Sequence, residues 1–128
     1  MWSKKIFLIS VVTVYVALFS CKKNDTGGEA TVVAFPKHHA QEIKGATVYV
    51  KFGATELPSD PTTNYDMKVL GDSSENHIHI EHLRYGKYYL YAVGYDSTIM
   101  QQVTGGEAVK IRWKERKEEI DVDIHVTE

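Results

Sequence analysis

The chain is poor in cysteine and lacks the sequence patterns of common enzymes. Cys21 is the only cysteine among 128 residues, so no disulfide can form within the chain. The GxSxG, P-loop and GxGxxG patterns of hydrolases and nucleotide-binding enzymes are missing. The sequence therefore predicts a protein that is not an enzyme and that carries no cofactor.

The chain also has no excess of basic over acidic residues. The chain has 15 Lys and Arg against 17 Asp and Glu, and a formal net charge of −2. Lys4 and Lys5 lie in a segment that we expect to be removed, which leaves 13 basic against 17 acidic residues and a net charge of −4. A mildly acidic domain has no electrostatic reason to bind nucleic acid, so nucleic acid is not an expected partner.

The first 20 residues have the organisation of a secretory signal peptide. Lys4 and Lys5 form a positive start, residues 6–19 form an uncharged apolar run, and the small residue Ser20 precedes Cys21. The apolar run is shorter than the roughly 20 residues that a membrane-spanning helix needs. We therefore predict a cleaved signal peptide over residues 1–20.

Cys21 indicates which kind of signal peptide this is. The stretch Leu18-Phe19-Ser20-Cys21 resembles the lipobox of bacterial lipoproteins, in which cleavage precedes the cysteine and its sulfur receives a diacylglyceryl group. The residues CKKND that begin there look like those of lipoproteins from Bacteroidetes-type bacteria. The resemblance implies that Cys21 is acylated and anchors the protein in the bacterial cell envelope, on the periplasmic face or at the cell surface. Plain secretion with a free thiol and an uncleaved N-terminal anchor are the alternatives.

The rest of the chain is organised as a tether and one domain. Residues 21–29 are polar and contain two glycines, which predicts the lipidated cysteine followed by a flexible tether. From residue 30 onward, apolar and polar residues alternate, and turn residues recur roughly every 8–12 positions. This pattern predicts an all-β domain over residues 30–128. We expect a two-sheet antiparallel sandwich of about seven strands, Ig-like or prealbumin-like in architecture.

Proline and glycine predict where strands end. Pro36 has no N–H group, so the strand over residues 31–38 is expected at a sheet edge or with a bulge. The stretch Thr104-Gly105-Gly106 lies between two apolar runs and is a hairpin signal. Residues 97–103 and 107–113 are therefore expected to form two separate strands.

The segment HIHIEHLRYGKYYLYAVGYD, residues 77–96, carries a family resemblance. It is similar to the F-x-x-L-x-x-G-x-Y-x-L segment of small β-sandwich modules, namely the carboxypeptidase regulatory-like, Cna-B-like and transthyretin-like repeats. The matching positions are Ile80, Leu83, Gly86, Tyr88 and Leu90, and Gly45–Val50 resembles the G-A-x-V-x-V strand of the same modules. The resemblance implies that Tyr88 and Leu90 point into the core. It also implies an accessory or adhesive domain without catalytic activity.

Three tyrosines on that segment are candidates for ligand contact. If Tyr88 and Leu90 point inward, Tyr89, Tyr91 and Tyr95 lie on the outer face of the same sheet. Exposed aromatic rings can stack on sugars or contact a peptide, so a glycan- or peptide-binding module is the first alternative function. Cross-strand packing is the structural explanation of the same pattern.

Histidines and aspartates are weaker candidates for metal ligands. His77 and His79 alternate on one strand, Glu81 shares their face, and His125 would join them if its strand were a neighbour. A metal-binding envelope protein is therefore the second alternative function. The remaining candidates are Asp121 and Asp123 for calcium, and His38 and His39, which we expect at the exposed end of the first strand.

The sequence thus predicts a membrane-anchored envelope lipoprotein with a non-catalytic interaction domain. The expected partners are the membrane, through the N-terminal lipid, and a protein or extracellular ligand whose identity the sequence does not specify.

Overall fold

A computed structural model describes residues 23–128, so Cys21 and the predicted signal peptide lie outside the described residues. The fold is an all-β sandwich of two four-stranded sheets, which confirms the predicted fold class. A single turn of 3-10 helix, Trp113–Glu115, precedes the last strand. The strands are β1 (Thr26–His38), β2 (Gln41–Glu42), β3 (Thr47–Phe52), β4 (Met67–Leu70), β5 (Ile78–Leu83), β6 (Gly86–Asp96), β7 (Gln101–Ile111) and β8 (Glu119–His125).

The two sheets differ in how their strands pair. Sheet B has the order β4-β3-β6-β7 and is antiparallel throughout. In sheet A, β1 pairs with β2 and β5 in antiparallel fashion and with β8 in parallel fashion over Thr31–Lys37. The parallel pair departs from the predicted antiparallel sandwich. It is possible because β1 and β8 are joined by the whole intervening domain, so no tight hairpin dictates their relative direction.

The core lies between the two sheets and is filled by alternate residues of both. Tyr88 and Leu90 are fully buried, as predicted, and so are Val48 and Val50 on the neighbouring strand. The fully buried residues of sheet A are Ala30, Val32, Ala34, Ile80, Leu83 and Ile124. Within residues 23–128, all eight strands and the core cluster fall between Thr26 and Val126. We therefore expect a chain of residues 21–128 to fold, because it contains both sheets and the core between them.

Strand β1 begins earlier than predicted and lies inside its sheet. It begins at Thr26, so residues 26–29, predicted as part of the tether, belong to sheet A. Gly28 permits this pairing, because a Cβ there would lie 2.2 Å from the backbone oxygen of Leu83. β1 is also a central strand and not an edge strand, whereas the bulge that Pro36 predicted as the alternative is present in β1 but lies between Thr26 and Val32, where the register against β5 shifts.

Pro36 is tolerated because of a gap between two neighbouring strands. On one side of β1, the pairing with β5 ends at Ala34 and the pairing with β2 begins at Lys37. On this same side, the backbone oxygen of Pro36 accepts a hydrogen bond from the N–H of Ile43. The N–H and C=O of one strand residue point toward the same edge, so the missing N–H of Pro36 faces this gap.

The predicted hairpin turn at Thr104-Gly105-Gly106 is wrong. Strand β7 runs straight through these residues, and the chain turns instead at residues 97–100, between β6 and β7. The glycines serve close packing. A Cβ on Gly105 would lie 2.0 Å from the backbone oxygen of His125, and a Cβ on Gly106 would lie 2.5 Å from the ring of Tyr89.

We predict that Gly105→Ala destabilises the domain, because the added methyl group must push β7 away from the backbone at His125. Overpacking of this kind costs about 1–3 kcal/mol of unfolding free energy, which urea denaturation measures. Glu107→Ala, at an exposed position of the same strand, is the control and should change the value by less than about 0.5 kcal/mol. Equal stability of the two variants would contradict the role given to Gly105.

Candidate functional site

The first described residues are fixed to one end of the sandwich. The backbone N–H of Asn24 donates to the oxygen of Tyr85 at 3.0 Å, and the side-chain oxygen of Asn24 accepts from the N–H of Lys87 at 2.5 Å. The oxygen of Asp25 accepts from the N–H of Arg84 at 2.8 Å. The chain is therefore held to the β5–β6 turn only three residues after Cys21.

Gly86 makes this attachment possible. Its φ angle is 140°, and a Cβ there would lie 1.9 Å from the side-chain oxygen of Asn24. Asn24 itself has a φ of 52°, a left-handed conformation that asparagine tolerates better than most residues. The glycine of the family-like segment is thus explained by a contact with a residue 62 positions earlier, which periodicity could not reveal.

Two adjoining clefts lie around this attachment, with volumes of about 200 and 530 Å³. They share Tyr85 and Trp113 in their walls. Among the described residues that line them, Glu29 is the one acidic side chain, and it forms an ion pair with Lys117 at 3.9 Å. We call this surface, with Trp113, the basic end of the sandwich. Its basic side chains are Lys23, Arg84, Lys87, Lys110, Arg112, Arg116 and Lys117.

Trp113 stands at the centre of the basic end and is 56% exposed. Its ring meets the edge of Tyr85 at a centroid distance of 5.0 Å, and the guanidinium of Arg116 lies 4.1 Å from the indole centroid. The Nε of Arg112 donates to Glu115 at 2.7 Å, which holds the 3-10 turn that carries Trp113. The indole is therefore held in place by neighbours while much of its surface remains in solvent.

The predicted tyrosines lie on the outer face of sheet B. Tyr89 and Tyr91 are partly buried, and Tyr95 is 55% exposed near the β6–β7 turn. Tyr91 lies directly opposite Tyr49 of β3 on one side and Gly106 of β7 on the other. The structure therefore widens the predicted group with Tyr49, which sequence reasoning did not single out.

Tyr49 belongs to a small cluster at the edge of that face. Its ring packs against Tyr65 at 5.1 Å in an edge-on arrangement, and the ammonium of Lys68 lies 5.5 Å from its centroid. The aromatic surface therefore covers two strands of sheet B, β3 and β6, with Tyr65 at its edge and small residues on β7 beside it.

The histidines proposed as metal ligands form a pair on sheet A. The rings of His77 and His79 meet edge-on at 5.0 Å, and His77 also contacts Phe35 and shares a hydrogen bond with Asn76. His125 lies on β8, opposite Lys37 of β1. Within residues 23–128, no group of three or more His, Cys, Asp and Glu side chains is arranged to hold a metal ion.

Asp121 and Asp123 line a shallow cleft on the outer face of sheet A. The cleft has a volume of about 310 Å³, and its other walls are Phe35, Lys37 and Glu42. The carboxylate of Asp123 forms an ion pair with the ammonium of Lys37 at 3.3 Å. Asp123 is thus paired with a base of the adjacent strand, as expected for a solvated outer face.

His38 was expected at an exposed strand end but is buried, with 4% of its surface exposed. Its Nδ1 shares a 2.8 Å hydrogen bond with Asp96 of β6, which joins the two sheets. Its Nε2 lies 2.7 Å from the carboxylate of Glu128, within ion-pair distance. Asp96 in turn accepts two hydrogen bonds from Thr98.

The two carboxylates favour the protonated imidazole. The hydrogen bond with Asp96 is the largest effect and raises the pKa of His38 above its usual 6.5, against the opposing effect of desolvation. The pKa of Asp96 is lowered from 3.8, first by the hydroxyl of Thr98 and then by His38. Alternation along β1 could have predicted that His38 is buried, because His38 lies an even number of positions after the buried Val32 and Ala34 and so points to the same side of the sheet.

Comparison of the chain with protein-family models, with curated proteins and with solved structures found no match. Function is therefore argued from the residues and their geometry alone.

The His38 cluster predicts a pH-dependent stability. A raised pKa of His38 stabilises the fold below pH 6.5, and this contribution is lost as the pH rises through the folded pKa. The lowered pKa of Asp96 stabilises the fold above pH 3.8 and is lost as the pH falls through the folded value. We expect the stability difference between wild type and His38→Gln to be largest between these limits and to shrink above pH 6.5.

Urea unfolding of both proteins across this pH range is the measurement. His125→Gln, at an exposed histidine, is the control and should keep the wild-type profile. A difference between wild type and His38→Gln that does not vary with pH would contradict the assignment.

Proposed function

We propose that the chain is a lipid-anchored protein of the bacterial cell envelope whose sandwich is a non-catalytic interaction domain. One observation carries the proposal: the only cysteine follows an apolar segment of signal-peptide type and precedes the first strand by five residues. An acylated cysteine at that position would leave the whole core intact, because the core begins at Ala30.

Acyl chains on Cys21 would supply the membrane attachment. Burial of a lipid chain contributes about 0.8 kcal/mol per CH₂ group, and stable anchoring needs two signals, such as two chains on one residue. None of the helical structure within residues 23–128 has the length and apolar character that crossing a bilayer requires.

The resemblance to accessory β-sandwich modules supports a non-catalytic role. Gly86 and Tyr88, two positions of the family-like segment, have structural tasks: Gly86 accommodates Asn24, and the Tyr88 hydroxyl donates to the oxygen of Arg84 at 2.6 Å. The buried ion pair of His38 and Asp96 likewise joins the two sheets. The polar groups inside the sandwich are thus engaged in holding it together, and the outer faces are left for partners.

We predict that radiolabelled palmitate enters the wild-type protein in a bacterial host and does not enter Cys21→Ser, because only a cysteine sulfur can form the thioether to the diacylglyceryl group. Ser20→Ala keeps a small residue before the cysteine and is the matched control, expected to label like wild type. Equal labelling of wild type and Cys21→Ser, or none in either, would refute the anchor.

The aromatic surface of sheet B supports a second candidate function, the binding of a glycan or an extended peptide. The favouring observation is that Tyr49, Tyr89 and Tyr91 share one outer face while β7 presents only Gly106 and Ala108 beside them. The ring of Tyr89 lies over Gly106, and aromatic rings grouped on one outer face offer a surface on which a flat ligand can stack.

A glycan array followed by calorimetric titration tests this candidate. Tyr91→Ala should weaken binding of any ligand found by tenfold or more, since truncation of a central aromatic contact costs roughly 2 kcal/mol. Leu70→Ala removes an exposed apolar side chain from the edge strand of the same sheet and should bind like wild type. Unchanged affinity of Tyr91→Ala would rule out the tyrosine face.

A further inference from the structure

We propose that the basic end of the sandwich contacts the anionic headgroups of the membrane in which Cys21 is anchored. This inference rests on the proposed lipidation of Cys21 and adds to it a defined orientation of the domain. Lipid would lie against the two clefts around Trp113, and the His38 cluster would point away from the bilayer.

The short link between anchor and domain is the first argument. Asn24 is fixed to Tyr85 and Lys87 by hydrogen bonds of 3.0 and 2.5 Å. A fully extended chain spans at most about 3.6 Å per residue, so the Cα atoms of Cys21 and Asn24 are no more than about 11 Å apart. An acylated Cys21 therefore keeps Asn24, at the edge of the basic end, within about 11 Å of the anchoring residue, a distance comparable to the Debye length of about 8 Å at physiological salt.

Charge segregation is the second argument. The chain after the signal segment is acidic as a whole, yet basic side chains outnumber acidic ones in the walls of the two clefts. Lys87 and Lys110 are exposed there and lie opposite each other on β6 and β7. At the opposite end, the exposed carboxylate of Glu128 lies beside His38, whose positive charge is balanced by the buried Asp96. A negatively charged surface would therefore attract the first end and not the second.

Trp113 is the third argument. Its indole is 56% exposed, and it is held by Tyr85 and Arg116 between basic side chains. Tryptophan prefers the membrane–water interface, where its apolar ring and polar N–H each find a suitable environment. An exposed indole surrounded by cations suits a phospholipid surface better than it suits a purely polar anion.

The experiment uses the chain of residues 21–128, which contains the complete core and whose single cysteine is Cys21. Cys21 is coupled to a maleimide phospholipid in vesicles of phosphatidylcholine, with or without an equimolar amount of phosphatidylglycerol. Trp113 is the only tryptophan in this chain, because the other is Trp2, so its emission reports the basic end alone.

We expect a blue shift of Trp113 emission on the anionic vesicles and none on the neutral ones. The shift should disappear when salt is raised from 0.1 to 1 M, because the Debye length falls from about 10 to about 3 Å. Salt dependence needs no variant, so it tests the proposal independently of any effect of substitution on folding.

A pair of charge variants identifies the residues. Lys87→Gln with Lys110→Gln should lower the ratio of docked to undocked domain by about 25-fold, since each basic residue near an anionic surface contributes about a fivefold factor. Lys37→Gln with Lys44→Gln removes the same charge near the opposite end and should leave the ratio unchanged. Circular dichroism of both variants checks the fold.

Each contrary result overturns the proposal. Equal emission on anionic and neutral vesicles would show that the basic end does not face lipid. Equal effects of the two lysine pairs would show that the attraction depends on the total charge of the domain and not on which end faces the membrane. Quenching of Trp113 by heparin, without a response to anionic vesicles, would identify a polysaccharide site instead. Because coupling to Cys21 is chemical, these outcomes are independent of palmitate labelling in cells, which tests the lipid anchor itself.

Discussion

The burial of β1 inside sheet A is the constraint on which the rest of the sandwich depends. β1 pairs with β5 and with β8, and its inward residues Ala30, Val32 and Ala34 are fully buried. Thirteen strand residues extend over roughly 40 Å, so this one element runs from one end of the domain to the other. It follows that Asn24 is fixed at one end and His38 at the other.

This separation gives the two ends different physical characters. At the end where the described chain begins, hydrogen bonds to Asn24 shorten the free link to Cys21 and bring basic side chains and Trp113 close to the proposed anchor. At the other end, His38 and Asp96 connect the two sheets by a buried ion pair. A domain oriented by its basic end would leave the tyrosine face of sheet B at the side, open to a ligand arriving along the membrane surface.

Local patterns predicted the fold, and contacts between distant residues produced the exceptions. Alternation placed Leu90 and the three tyrosines on opposite faces of β6, because a strand has a period of two. Both faces of this segment are apolar, so the resemblance to small β-sandwich modules was needed to choose the face that points inward. The function of Gly105 could not be predicted, since the backbone that crowds it comes from a strand 20 residues away. The pairing of His38 with Asp96 and the attachment of Asn24 likewise join residues about 60 positions apart. The identity of such partners is decided by topology, which a single sequence does not specify.

The depth of two positions in the membrane tests the central claim most directly. Protein from a bacterial host, acylated at Cys21 as proposed, is reconstituted into anionic vesicles that contain brominated phosphatidylcholine, which quenches a tryptophan near the bilayer. Quenching of Trp113 is then compared with quenching of a tryptophan at the opposite end of the domain. That tryptophan is introduced by Tyr95→Trp in a Trp113→Phe background, because Tyr95 directly precedes Asp96, the partner of His38. We expect strong quenching at position 113 and little at position 95. Equal quenching at both positions would contradict an oriented, lipid-anchored sandwich.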